Sequence, residues 1–115
     1  MSVRRGEVIW VDWPFSDRTG SKVRPAVVVQ DDSLNGRIAD TVLALITRSP
    51  RAVGTTEVLI DPAVETGSGL RHRSAVSCNN LLTIDQQLLH QTVGRLSYAA
   101  MLKIDAPLKA SLGLP

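Results

Sequence analysis

The chain has 115 residues, 43% hydrophobic and 21% charged, which predicts one domain spanning 1–115 with its own apolar core and excludes intrinsic disorder. Thirteen Lys and Arg against eleven Asp and Glu leave a net charge of +2, compatible with a phosphate-rich partner without requiring one. The single cysteine, Cys78, excludes an internal disulfide, and the longest purely apolar run, Val42–Ile46, is far shorter than the ~20 residues of a membrane-spanning helix, so a cytoplasmic protein with no membrane partner is expected.

Short runs of Val, Ile and Thr cut by Gly, Pro, Asp and Ser predict a β-rich domain. In the first run, Glu7–Trp13, the period of two puts Val8, Trp10 and Asp12 on one face and Ile9, Val11 and Trp13 on the other. Pro14 ends it, and Ser16–Lys22 reads as a flexible loop with Gly20 as its turn residue. After Arg24-Pro25, the run Ala26–Val29 predicts a strand buried on both faces. Asp31–Ser33 and Asn35-Gly36 mark turns, and Thr41–Thr47 is a further buried strand. Ser49-Pro50 and Gly54 interrupt before a fourth strand, Glu57–Ile60. Asp61–Gly69 is a loop and Ser74–Cys78 a fifth strand. Asn79–Asp85 is extended, Gln86–His90 makes one helical turn, and Gln91–Leu96 returns as a last strand. Ser97 is suited to cap a C-terminal helix in which Met101, Ile104, Leu108 and Leu112 recur at helical spacing, with Gly113 as its stop. Pro107 predicts a kink there, or two short helices with Asp105 capping the second.

The chemistry-bearing residues are few. His72 and His90 have neither ligand spacing nor cysteine partners, so no metal is expected. Cys78, inside an apolar strand, reads as a small core residue. Gly67-Ser68-Gly69 lacks the Lys-Ser/Thr that makes a phosphate loop. With aromatics at 3%, a nucleic-acid site would lean on polar and charged groups more than on stacking. Arg24 stands where a polar loop meets a buried strand, held by Pro25; it serves either as a planar donor fork for phosphate or as an ion-pair partner of Glu7, Asp12 or Asp17. Thr47 matters only if its strand end lies beside Arg24. Asn79 and Asn80 either read a base edge or close a turn.

In order, Arg5–Asp12, Arg24–Val29, Leu45-Ile46-Thr47, Gly69-Leu70 before Ser74-Ala75-Val76, Thr83-Ile84-Asp85, Gly94–Ser97 and Ser111–Leu114 give the chain a pattern that resembles the MazF/PemK family of toxins from toxin–antitoxin modules. The resemblance implies a small SH3-like antiparallel β-barrel with a C-terminal helix, a homodimer, and an endoribonuclease that cuts single-stranded RNA, often mRNA, without a metal or other cofactor. It implies a cognate MazE-like antitoxin, acidic and partly disordered, that covers the RNA groove. The family's paired Arg and Thr fall on Arg24 and Thr47, its gating loop on Pro14–Val23, and its base-reading positions on Asn79 and Asn80. Asp17, Arg18, Ser21, Lys22 and Arg48 are the further RNA-binding positions implied around the groove. Members with Arg and Asp flanking the cysteine differ from this chain, which has Ser77 and Asn79 there.

The expected reaction is attack of the RNA's own 2′-hydroxyl on phosphorus, leaving a 2′,3′-cyclic phosphate and a 5′-hydroxyl, with Arg24 stabilising the phosphorane and a candidate proton donor to the leaving oxygen, and Thr47 aligning the phosphate; the general base is unassigned, with Asp17 a weak candidate. Two other readings stand beside it: a non-catalytic toxin resembling CcdB, which binds DNA gyrase, and an SH3-like nucleic-acid or protein adaptor.

Overall fold

The computed structural model describes residues 2–48 and 54–115. Along the chain these form β1 (Glu7–Pro14), β2 (Ser21–Val28), the one-turn helix α1 (Asp32–Asn35), β3 (Asp40–Arg48), β4 (Glu57–Ile60), β5 (Ser74–Asp85), a 3₁₀ turn (Gln86–Leu88), β6 (Thr92–Arg95) and α2 (Tyr98–Leu112). The strands make one antiparallel sheet in the order β4-β5-β3-β2-β1-β6. The expected interruption at Ser49-Pro50 lies outside the described residues.

The alternation of β1 separates two cores. Val8 joins Val27, Ala44, Ile46, Val76 and Cys78 on the face that α2 covers with Ala100, Met101 and Ile104. Ile9, Val11 and Trp13 join Ala26, Val28, Leu43 and Leu45 on the other face. Burial on both sides explains why β2 and β3 read as nearly continuous apolar runs.

The sheet is not closed by strand pairing, so the expected barrel is instead an open sheet whose two edges are bridged by a loop. The segment after β4, at one edge, runs back over β6, at the other. Arg95 donates its backbone N–H to Gly67 O at 2.8 Å. The Glu65 carboxylate accepts from both the N–H and the hydroxyl of Ser97, each at 2.7 Å. Main chain crosses main chain here with no room between: a Cβ on Gly94 would lie 2.3 Å from the Ser68 carbonyl, and one on Gly69 (φ +76°) 2.1 Å from the Val93 oxygen.

Four local expectations change. The fifth strand does not stop at Cys78 but runs twelve residues to Asp85. The loop after β1 is shorter than expected because Ser21 and Lys22 pair with Pro14 and Trp13, and its left-handed residue is Arg18 (φ 63°), not Gly20. A helical turn, α1, forms where only turns were read: Asp31 caps it through Ser33 N–H, and buried Asn35 binds Gln30, Asp32 and Thr41. The C-terminal helix is continuous through Pro107, capped by Ser97 and stopped by left-handed Gly113. Its packed side chains outweigh the one backbone bond that Pro107 cannot make, and Asp105 pairs with Arg5 at 3.2 Å instead of capping a second helix.

Candidate functional site

A proline opens the site. Trp10 directs both of its backbone groups away from β2, accepting from His90 N–H at 2.9 Å and donating to Gln91 O at 3.1 Å. Its partner Pro25 therefore turns its nitrogen toward β3, where it has no proton to donate. The β2–β3 ladder accordingly runs only from Val28↔Leu43 to Ala26↔Leu45. Continued by two residues, that register would set Arg24 opposite Thr47, on the face that carries Ala26 and Leu45. With the ladder ended, the strand ends border a groove of about 540 Å³ that both residues line.

The opposite wall is built by a bulge. Ala44 pairs with Leu81, but the next residue, Leu45, pairs with Ser77, so Cys78, Asn79 and Asn80 are looped out of the β3–β5 ladder. The bulge is tied down behind: Cys78 N–H donates to Thr56 O at 2.8 Å, and Ser111 on α2 donates its hydroxyl to Cys78 O at 2.8 Å. In front, Asn79 and Asn80 are exposed and line the groove.

The third wall is the β1–β2 hairpin. Phe15 N–H donates to Gly20 O at 2.8 Å and Arg18 N–H to Phe15 O at 2.9 Å, which folds the tip into a defined turn. Trp13, Pro14, Phe15 and Arg18 reach the groove from it. Trp13 is nearly buried, but Phe15 is 43% exposed, its ring laid over the bare backbone of Gly20. Two of the chain's four aromatic residues therefore wall the groove, contrary to the expectation of a site with little stacking surface. Overall scarcity carried no information about position; the adjacency of Trp13-Pro14-Phe15 to the loop was the usable signal.

Of the residues singled out in the sequence, the groove brings together Arg24, Thr47, Arg18, Asn79 and Asn80. Asp17, Ser21, Lys22 and Arg48 do not line it. Lys22 shares the strand face of Arg24 two residues nearer the hairpin tip, and Arg48 ends β3 just past Thr47. Among the described residues Arg24 has no ion pair: Asp12 faces His90 at 3.2 Å, Glu7 accepts from Arg4 N–H, and Asp17 is held by the N–H and hydroxyl of Thr19 at 3.0 and 2.8 Å. Those two bonds also lower the Asp17 pKa, which makes it a weaker proton acceptor. Thr47, half-buried, directs its hydroxyl toward Ala75 O at 3.4 Å, a long contact that a ligand oxygen can replace. Burial pushes the Cys78 thiol up to about 11, which keeps it protonated and inert. Among the described residues no three His, Cys, Asp or Glu side chains cluster to hold a metal ion, and no carboxylate or imidazole lines the groove.

Residues 4–112 match the profile of a family described as "PemK-like, MazF-like toxin of type II toxin-antitoxin system". Endoribonuclease EndoA of Bacillus subtilis is 33% identical over 118 residues, covering 99% of this chain and 97% of its own. Endoribonuclease MazF6 of Mycobacterium tuberculosis is 29% identical over 116 residues, covering 99% and 100%. Among solved structures, a mycobacterial endoribonuclease in complex with its cognate antitoxin superposes with a TM-score of 0.80 at 27% identity, covering 99% of this chain and 98% of that one.

Proposed function

The chain belongs to the PemK-like, MazF-like toxins of type II toxin–antitoxin systems and is an endoribonuclease, and we propose that it cuts single-stranded RNA, without metal, in the groove between Arg24 and Thr47. The observation that carries this reading is the unpaired, half-buried guanidinium of Arg24 in the groove that Thr47 also lines. A fixed, always-charged donor fork stabilises the negative charge that grows on a phosphorane more than it stabilises the ground-state diester. The Thr47 hydroxyl donates to a second non-bridging oxygen and holds the phosphate in line. The RNA 2′-oxygen attacks phosphorus, the bond to the 5′-oxygen breaks, and the products carry a 2′,3′-cyclic phosphate and a 5′-hydroxyl. The 2′-proton leaves to water, since the groove's described wall holds no carboxylate or imidazole, and the 5′-oxygen takes a proton from the same source.

Asn79 and Asn80 take the role of base contacts. Arg18, Lys22 and Arg48 supply phosphate contacts around the groove. Asp17 and Ser21 serve the same RNA path from the hairpin rather than as groove-lining groups. Supporting the partner assignments, the mycobacterial relative is solved with its cognate antitoxin, and the unpaired cations of this groove suit an acidic antitoxin segment. For a homodimer, the exposed Tyr98, Leu102 and Leu112 on α2 offer apolar side chains that a second copy would cover. No helix among the described residues is long and apolar enough to cross a membrane, and the RNA substrate argues for a cytoplasmic site of action. The whole of 1–115 is read as one toxin domain.

The test is digestion of a long transcript in the presence of a chelator, with both new ends identified chemically. Discrete cuts bearing 5′-hydroxyl and cyclic-phosphate ends are expected. Cleavage abolished by the chelator, or 5′-phosphate ends, overturns the mechanism.

A further inference from the structure

The two asparagines of the bulge are each hydrogen-bonded at one end of the amide. The Asn79 Oδ1 accepts from the Thr56 hydroxyl at 3.0 Å and from the Ser77 hydroxyl at 3.0 Å. In the structure both hydroxyls donate to this oxygen, so the Asn79 Nδ2 is the end turned away from them. Ser77 is buried and has only its hydroxyl to turn. Having given its proton to Asn79, it accepts from Asn80 Nδ2 at 2.8 Å. The structure thus sets out the chain Thr56→Asn79←Ser77←Asn80. Among the described residues it leaves the Asn79 NH₂ with no acceptor and the Asn80 Oδ1 with no donor.

We infer that Ser77 and Thr56 are positioning residues for base selection: they set the polarity with which the groove meets an RNA base, so that Asn79 offers donors only and Asn80 offers its carbonyl oxygen. Neither Ser77 nor Thr56 lines the groove, so both act through the amides. The inference rests on the endoribonuclease reading above and deepens it. A base fits when it sets an acceptor against Asn79 and a donor against Asn80; a base with that order reversed leaves two buried polar groups facing their like. An amide released from its hydroxyls can rotate by half a turn and accept either order, which erases the selection without removing Arg24 or Thr47.

The experiment maps new 5′ ends on one long transcript for the parental protein and for Thr56→Val, Ser77→Ala, Thr56→Ser, Asn79→Asp and Arg24→Ala. Thr56→Val and Ser77→Ala are expected to broaden the cleavage pattern, raising weak sites relative to the strongest by about fivefold or more. Thr56→Ser keeps the hydroxyl and the parental pattern. Asn79→Asp replaces the outward donor with an acceptor and moves cleavage to different sites rather than broadening it. If Thr56→Val and Ser77→Ala slow every site equally, or leave the relative site intensities unchanged, the two hydroxyls are only structural and the inference is wrong. The Arg24→Ala arm separates the two levels: parental cuts lost in Arg24→Ala leave the endoribonuclease reading standing whatever the pattern does. A parental protein that makes no discrete cuts overturns both.

Discussion

The sheet is broken in two places, and the two breaks are finished in opposite ways. At the seam between the β4–β5 loop and β6, glycines let main chain touch main chain, and the polar groups that meet there are paired: Arg95 N–H with Gly67, Glu65 with Ser97. At the gap between β2 and β3, Pro25 ends the ladder, and among the described residues Arg24 has no carboxylate partner. The second opening is kept, and kept unsatisfied, which costs stability and supplies a binding site.

Removing the charge from the open side gives the largest effect. Arg24→Ala is expected to lower the rate of RNA cleavage by about 10²–10³-fold, the usual loss for one preorganised donor at a developing oxyanion. Its thermal midpoint stays within a few degrees of the parental value, because among the described residues this guanidinium holds no ion pair. Single-turnover cleavage alongside a melting curve checks both halves. A variant that cuts at the parental rate, or that unfolds, removes the distinction between the two breaks.

The closed side responds in the reverse sense. Gly94→Ala drives a methyl group into the Ser68 carbonyl, where backbone rather than a flexible side chain must give way. Denaturant titration is expected to find about 3 kcal/mol lost. The variant that remains folded should still cleave at the parental sites, since the seam does not line the groove.

These contrasts were unevenly legible in the sequence. The facing of Val8 against Ile9, Val11 and Trp13 follows from a period of two and needs no tertiary knowledge, and the paired burial of Ala26–Val28 follows from an apolar run. The bulge was not legible. Asn79-Asn80 after Cys78 has the composition of a turn, and only the long-range register, Leu45 meeting Ser77 instead of continuing from Leu81, makes it a looped-out step inside one strand. For the same reason Arg24 and Thr47 were separately recognisable as unusual positions. That they border one groove depends on Pro25 meeting the β3 side of the ladder, a fact about strand pairing. The α1 turn is stabilised by hydrogen bonds to Asn35 from residues outside it, which no local propensity encodes.

A smaller effect sharpens the picture of the open side. Phe15 is the exposed aromatic of the groove wall, and every RNA base offers a face to stack on it. Phe15→Ala is expected to weaken single-stranded RNA binding by about 1–3 kcal/mol, measured with a non-cleavable substrate, while melting is unchanged. Loss of affinity confined to one sequence would instead mark Phe15 as a reader of base identity.

A last effect concerns the side chain behind the bulge. Cys78 is fully buried, and burial raises its thiol from 9.0 to about 11. The folded chain therefore holds this proton more tightly than the unfolded chain does. Its contribution to stability is fully present below pH 9 and is lost as the pH rises toward 11. Cys78→Ala leaves a small cavity, so the variant starts less stable at pH 8, but it lacks this loss. The gap in unfolding free energy between the two proteins should then narrow steadily between pH 9 and pH 11 in denaturant titrations. Curves that stay parallel across that interval mean that the thiol ionises as readily in the folded chain as in the unfolded one, and that burial does not hold its proton.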